Sequence, residues 1–221
     1  MDNIIQGIAI YALPVIFAIT LHEAAHGYVA KYFGDLTAEM AGRITLNPLR
    51  HIDPVGTILL PLMMFVTSKL LMGSGLLFGW AKPVPVNFGR LRQPKKDMLW
   101  VAAAGPGANL LMAFFWAAII KLGMNMPDSI YLKPMVLMGI AGIEINVVLM
   151  VLNLLPLPPL DGGRIAVSLL PSRLAWKFAQ IEPYGFIILL VLFISGVLSV
   201  VLWPLIIFTK QMIVTLFGLY I

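Results

Sequence analysis

Long apolar runs separated by short polar connections set the pattern of this chain. Residues 4–30, 98–120, 134–155 and 186–201 are each nearly free of charge. The first three reach the roughly 20 residues needed to cross a hydrocarbon core about 30 Å thick, and the fourth is near the short limit. The first run extends to about Tyr32 and meets Gly34-Asp35, a pair that stops helices. Residues 40–46 alternate loosely before Asn47-Pro48 breaks them, which predicts a short strand and a turn. Residues 81–87 carry Pro83 and Pro85, which forbid helix and suit an extended edge strand. Residues 55–72 are apolar again. From Ile181 onward there is room for one span to about Val201 and for a further stretch, 204–221, broken by Pro204 and marked by Lys210. That stretch either crosses a membrane or lies at its surface.

Composition turns the pattern into a class. With 60% apolar and 11% charged side chains, against the roughly 45–50% apolar of a soluble domain, the chain reads as a membrane protein. No repeat or low-complexity tract divides it, and the longest polar connection, 78–97, is too short for a soluble domain. Residues 1–221 are therefore expected to form one membrane domain. The first run is expected to be retained: it lacks the basic start of a signal peptide and holds His22, Glu23 and His26.

Charge then orients the spans. Lys31, Arg43 and Arg50 flank the first connection; Lys82, Arg90, Arg92, Lys95 and Lys96 precede the second run; Arg164, Arg173 and Lys177 follow Asp161. Placing these three loops in the cytoplasm puts eleven of the 15 basic residues inside, with Lys121 and Lys133 in the opposite loop. The first two loops share a side only if residues 55–72 enter the membrane and return. A re-entrant segment is thus predicted, tolerated at that depth where backbone packs in protein or lines a wet cavity. The fold expected is an all-α, polytopic helical bundle with that re-entrant segment and short membrane-associated β-strands. The net charge of +5 is explained by topology and lipid headgroups, which leaves no case for nucleic acid.

The absence of cysteine leaves His, Asp and Glu as the ligands for any transition metal. His22 and His26, four apart in a helix, lie on one face where two imidazoles converge on a metal with bonds of roughly 2.0–2.1 Å. Glu23 stands beside the first histidine, placed to take a proton from water at an open metal position during attack on a carbonyl. In a soluble helix such a pair is often a surface pair. In a span a central charge costs about 2.5–3.5 kcal/mol even on the lenient scale, so such groups default to function. A catalytic zinc wants a third protein ligand, and Asp35, Glu39, His51, Asp53, Glu144 and Asp161 are candidates. Asp161 is favoured, because it follows an apolar helix ended by Pro156, Pro158 and Pro159 on the same membrane side as His22. Gly162-Gly163 after it are read as freeing the backbone, and an Asp before two glycines is also an ordinary turn residue. His51 is placed as an outer group only, and Glu144 and Asn146 as packing residues.

With both motifs in hand, the chain resembles the site-2 protease family of intramembrane zinc metalloproteases, in a minimal form with room for neither a PDZ nor a CBS domain. His22-Glu23-Ala24-Ala25-His26 is joined by Asn153-Leu154-Leu155-Pro156 leading to Leu160-Asp161-Gly162, and by Gly105-Pro106-Gly107-Ala108-Asn109. The resemblance implies one catalytic Zn2+ held by His22, His26 and Asp161, with Glu23 activating water. It implies that Asn153 and Asn109 lie near the site as substrate contacts, although each could equally bridge helices. It further implies cleavage within or near a transmembrane segment of a membrane-protein substrate, in a prokaryotic cell membrane, with the site toward the cytoplasm. Either predicted strand, 40–46 or 81–87, would then offer an edge to the unwound substrate.

Two rivals remain on the residues alone. A zinc transporter should stage acidic or His groups along a path, whereas here they gather at one level. A scaffold that keeps zinc only for stability has no need of Glu23.

Overall fold

The computed structural model describes residues 2–59, 63 and 81–219. Helix α1, Asp2–Tyr32, ends where the first apolar run was expected to end. Gly34 adopts φ +103°, and the amide of Asp35 returns to the carbonyl of Ala30, the left-handed close that glycine permits. A one-turn helix α2, Thr37–Met40, follows, then short turns at Pro48–Arg50 and Pro54–Leu59. Asp53 opens the latter by accepting from the amides of Val55 at 3.0 Å and Gly56 at 2.7 Å.

The second apolar run is α3, Pro94–Met124, begun by a proline at its first turn and by Asp97, whose Oδ2 accepts from the amide of Gln93 at 2.6 Å. Helix α4, Leu132–Asn153, lies along it. A Cβ at Gly142 would run into the ring of Trp116 and one at Gly139 into Ile120, so these glycines let the two backbones approach closely. Then come α5, Asp161–Leu169, α6, Ser172–Ala179, α7, Glu182–Ile194, and α8, Val197–Phe217. Helices α1, α3 and α4 pack on one another, α5 rests on α3, and α8 lies against α3 and α4. Trp116, Ile120, Ile143, Val147 and Ile206 are among the residues at the centre of this packing.

The chain is a helical bundle of membrane type. Helices α3, α4 and α8 are each long and apolar enough to cross a membrane by length and composition, and α6 with α7 pass the same test as a pair bent by 64°.

No strand is present among the described residues, so the short strands at 40–46 and 81–87 are not borne out. At 81–87 the reason is visible: Pro83 and Pro85 have no N–H, and amides that would pair with a neighbouring strand go to His51 O, Glu23 Oε2 and Asp35 Oδ2 instead. Of the re-entrant passage at 55–72, only 55–59 and 63 are among the described residues, and the passage itself lies outside them. The last two runs divide at Gly196, not near Val201, because Gly196 turns left-handed with φ +76° and opens α8, which continues through Pro204.

Candidate metal centre

His22 and His26 project from one face of α1 and are each 7% exposed. Their floor is Gly105 on α3: a Cβ there would stand 2.6 Å from His22 Nε2 and nearer still to His26 Nε2. Only glycine leaves room for both rings. Asp161 enters from α5 and is 6% exposed. Gly162 and Gly163, read from sequence as loosening the backbone, are helical instead. A Cβ on either would collide with the backbone between Leu154 and Pro158, so they let the start of α5 press onto that loop.

Each imidazole is held by its far nitrogen. His26 Nδ1 lies 2.7 Å from the carbonyl of Val101, which can only accept, so Nδ1 carries a proton and, in the neutral ring that binds metal, Nε2 the lone pair. His22 Nδ1 lies 2.6 Å from Asn109 Oδ1, and Asn109 Nδ2 donates to Ala18 O at 3.2 Å and Asn146 Oδ1 at 3.0 Å. That network makes Asn109 Oδ1 an acceptor and sets the same tautomer in His22. Asn146 closes the chain by donating to Gly142 O at 2.8 Å.

Both Nε2 lone pairs therefore face inward, 3.1 Å apart, with Asp161 Oδ2 at 3.2 Å from one and 3.4 Å from the other. Three acceptors at such distances repel unless a cation lies between them. Asp161 Oδ2 is buried without a hydrogen-bond partner. Tetrahedral bonds of roughly 2.0–2.1 Å place ligand atoms roughly 3.3 Å apart, so spacing, donor type and tautomers all fit zinc. Among the described residues this is the group of His, Asp and Glu side chains able to hold a metal ion.

The other five candidates for a third ligand are engaged elsewhere. Glu39 pairs with Lys31 at 2.5 Å, and Glu144 meets Lys210 at 3.5 Å. Asp53 caps its turn, His51 Nε2 donates to Thr45 O at 3.0 Å, and Asp35 gathers donors beyond the end of α1. Glu23, half-buried, accepts at Oε2 from the amide of Val84 at 2.7 Å. Asn153, the last residue of α4, donates to Leu149 O at 3.0 Å, while Asn109 is fully buried with its amide spent on His22, Ala18 and Asn146.

Sequence reasoning missed Gly105 as the floor, Val101 O and Asn146 as outer partners, and the Val84 amide on Glu23. For Gly105 a signal was available: glycine before proline inside an apolar helix is costly unless something must pass close. A backbone carbonyl or amide leaves none.

Comparison with known proteins finds relatives over most of the chain. It is 42% identical over 210 residues to YwhC of Bacillus subtilis, covering 93% of this chain and 90% of that one. It is 29% identical over 185 residues to Rip2 of Mycolicibacterium smegmatis, covering 83% of this chain and 66% of that one. With Rip2 of Mycobacterium tuberculosis it is 30% identical over 183 residues, 82% of this chain and 65% of the relative. All three bear the description "Putative zinc metalloprotease". No protein-family model and no solved structure matches the chain.

Proposed function

Since the chain belongs to the site-2 protease family of zinc metalloproteases, we propose that it hydrolyses peptide bonds within or near transmembrane segments of membrane proteins, as in regulated intramembrane proteolysis. In this reading His22, His26 and Asp161 hold the metal. The observation that carries it is the buried, partnerless Oδ2 of Asp161 facing two imidazole lone pairs. Zinc, when bound, supplies a Lewis acid for the scissile carbonyl and brings water to a pKa of about 7.

The chain's own residues do the rest. Glu23 takes the proton of the attacking water and passes it to the leaving amine. With Oε2 held by Val84 N–H, the carboxylate presents one fixed edge to that proton. Val101 and Asn109 keep the imidazoles turned, and Asn109 serves the reaction through His22. Asn153 is assigned to the substrate backbone. The substrate is a transmembrane protein or peptide reached within the bilayer, and the enzyme is a multi-pass protein of a prokaryotic cell membrane. The eleven basic residues of the three loops face the site toward the cytoplasm.

Purification in detergent, metal analysis and incubation with a panel of transmembrane peptides test this directly, beside Glu23→Gln. About one zinc per chain is expected, with chelator-sensitive cleavage by the parent and none by the variant. Equal cleavage by Glu23→Gln would sink the mechanism.

A further inference from the structure

Three amides tie the connection at 81–87 to the rest of the protein. Lys82 N donates to His51 O at 2.9 Å, Val84 N to Glu23 Oε2 at 2.7 Å and Asn87 N to Asp35 Oδ2 at 2.6 Å. The middle one touches the group that moves the proton, and the outer two flank it. Pro83 and Pro85 each fix φ in the connection, which narrows the room for Val84 to absorb a shift at Asn87.

Asp35 is built as a fixed peg. It is fully buried and, besides Asn87 N, accepts from Thr37 N at 3.0 Å and Thr37 Oγ1 at 2.5 Å. Burial alone would push its carboxyl up, but the bonds from Thr37 and Asn87, with Arg90 nearby, hold it below the ordinary value of 3.8. Charge-assisted hydrogen bonds to an anion are roughly twice as strong as neutral ones, so Asp35 fixes both the turn after α1 and the end of the connection.

We propose that Asp35 is a positioning residue for Glu23, holding the connection at Asn87 so that Val84 N–H meets Glu23 Oε2. The inference rests on the reading of Glu23 given above. Asp35 touches neither metal ligands nor substrate and acts through Asn87 and Val84.

A double-mutant cycle on the full chain in detergent tests it. Asp35→Asn replaces one acceptor oxygen with an amide that opposes Asn87 N–H. The expected result is a fall in kcat of about tenfold or more, toward the hundredfold that a 1 Å misplacement costs, with KM within about twofold and the parent's zinc content. Val84→Pro, which deletes the amide itself, is expected to do the same. Combined with Val84→Pro, Asp35→Asn should add nothing further, because both act through one bond. Parent-like kcat in Asp35→Asn, or losses that multiply in the double variant, would overturn the proposal. Should Asp35→Asn lose its zinc, Asn87→Pro takes its place in the same cycle, and parent-like kcat there overturns the proposal equally. A parent without chelator-sensitive cleavage, or an active Glu23→Gln, defeats the underlying reading. An active parent, a dead Glu23→Gln and an unimpaired Asp35→Asn defeat only the role of Asp35.

Discussion

Two of the sets of ionisable side chains that meet between helices are built on different principles. Glu144 of α4 and Lys210 of α8 meet at 3.5 Å with their side chains 41% and 34% exposed. Each neutralises the other, one donor to one acceptor. His22, His26 and Asp161 are each under a tenth exposed and bring together three acceptors and no donor. The first set is complete in charge, whereas the second leaves three acceptors that only a cation would reconcile. The outer shells differ in the same sense. The imidazoles are locked by Asn109 and Val101, residues 87 and 75 positions away, and Gly105 clears space for them. A pair that need only cancel its own charge requires no such support, whereas a set that must hold an ion in one geometry does.

The comparison can be broken most severely at Asp161. Asp161→Ala removes the only charged member, and dialysed protein should retain almost no zinc and show no cleavage, read by metal analysis and peptide assay together. Retention of about one zinc per chain would mean that the third ligand lies elsewhere. Next in size is Gly105→Ala, whose methyl has nowhere to go but into the two rings. Overpacking costs about 1–3 kcal/mol, so zinc affinity from competition with a chelator should fall about tenfold or more. Unchanged affinity would show that the floor is softer than the packing indicates.

A smaller loss is expected from Asn146→Ala, which strips Asn109 Nδ2 of one acceptor while leaving the His22 bond in place. Outer partners of metal ligands are typically worth about 10–100-fold in affinity or activity. Because this one acts at second hand, a fall near the lower end is expected, with zinc content intact. The smallest effect belongs to the other set. Replacing the ion pair as a unit, Glu144→Gln with Lys210→Met, should move thermal stability by no more than about 1 kcal/mol and leave zinc content and cleavage at parent levels. A loss of zinc there would erase the distinction between the two sets.

Much of the candidate site was legible before any packing was known. His22, Glu23 and His26 depend on one helical turn, and the apolar runs mark α1, α3 and α4 to within a few residues. Gly34-Asp35 was recognised as a stop, although not as a turn followed by a peg. Misreadings fell where backbone choice depends on distant partners. The prolines of residues 81–87 suit an edge strand, but a strand needs a neighbouring strand, and the amides there find carboxylates and a carbonyl instead. Gly162-Gly163 looked like a loose turn because glycine permits both freedom and close approach, and sequence does not distinguish the two.

Spacing along one helix is a local property: a residue rise of about 1.5 Å and 3.6 residues per turn put His22 and His26 on one face whatever surrounds them. Membership of a bilayer is likewise local, since each run must solvate itself in hydrocarbon. Which of six candidates would meet the two histidines was not local. Nor was the choice of Asn109 for His22, or of Val84 for Glu23. Helices α3 and α4 are apolar nearly all round, so no stripe announces which face of α3 will meet α1 and which will meet α4. That choice is made by small residues at Gly105, Gly139 and Gly142 and by the few buried amides and carboxylates that must find partners once the helices close.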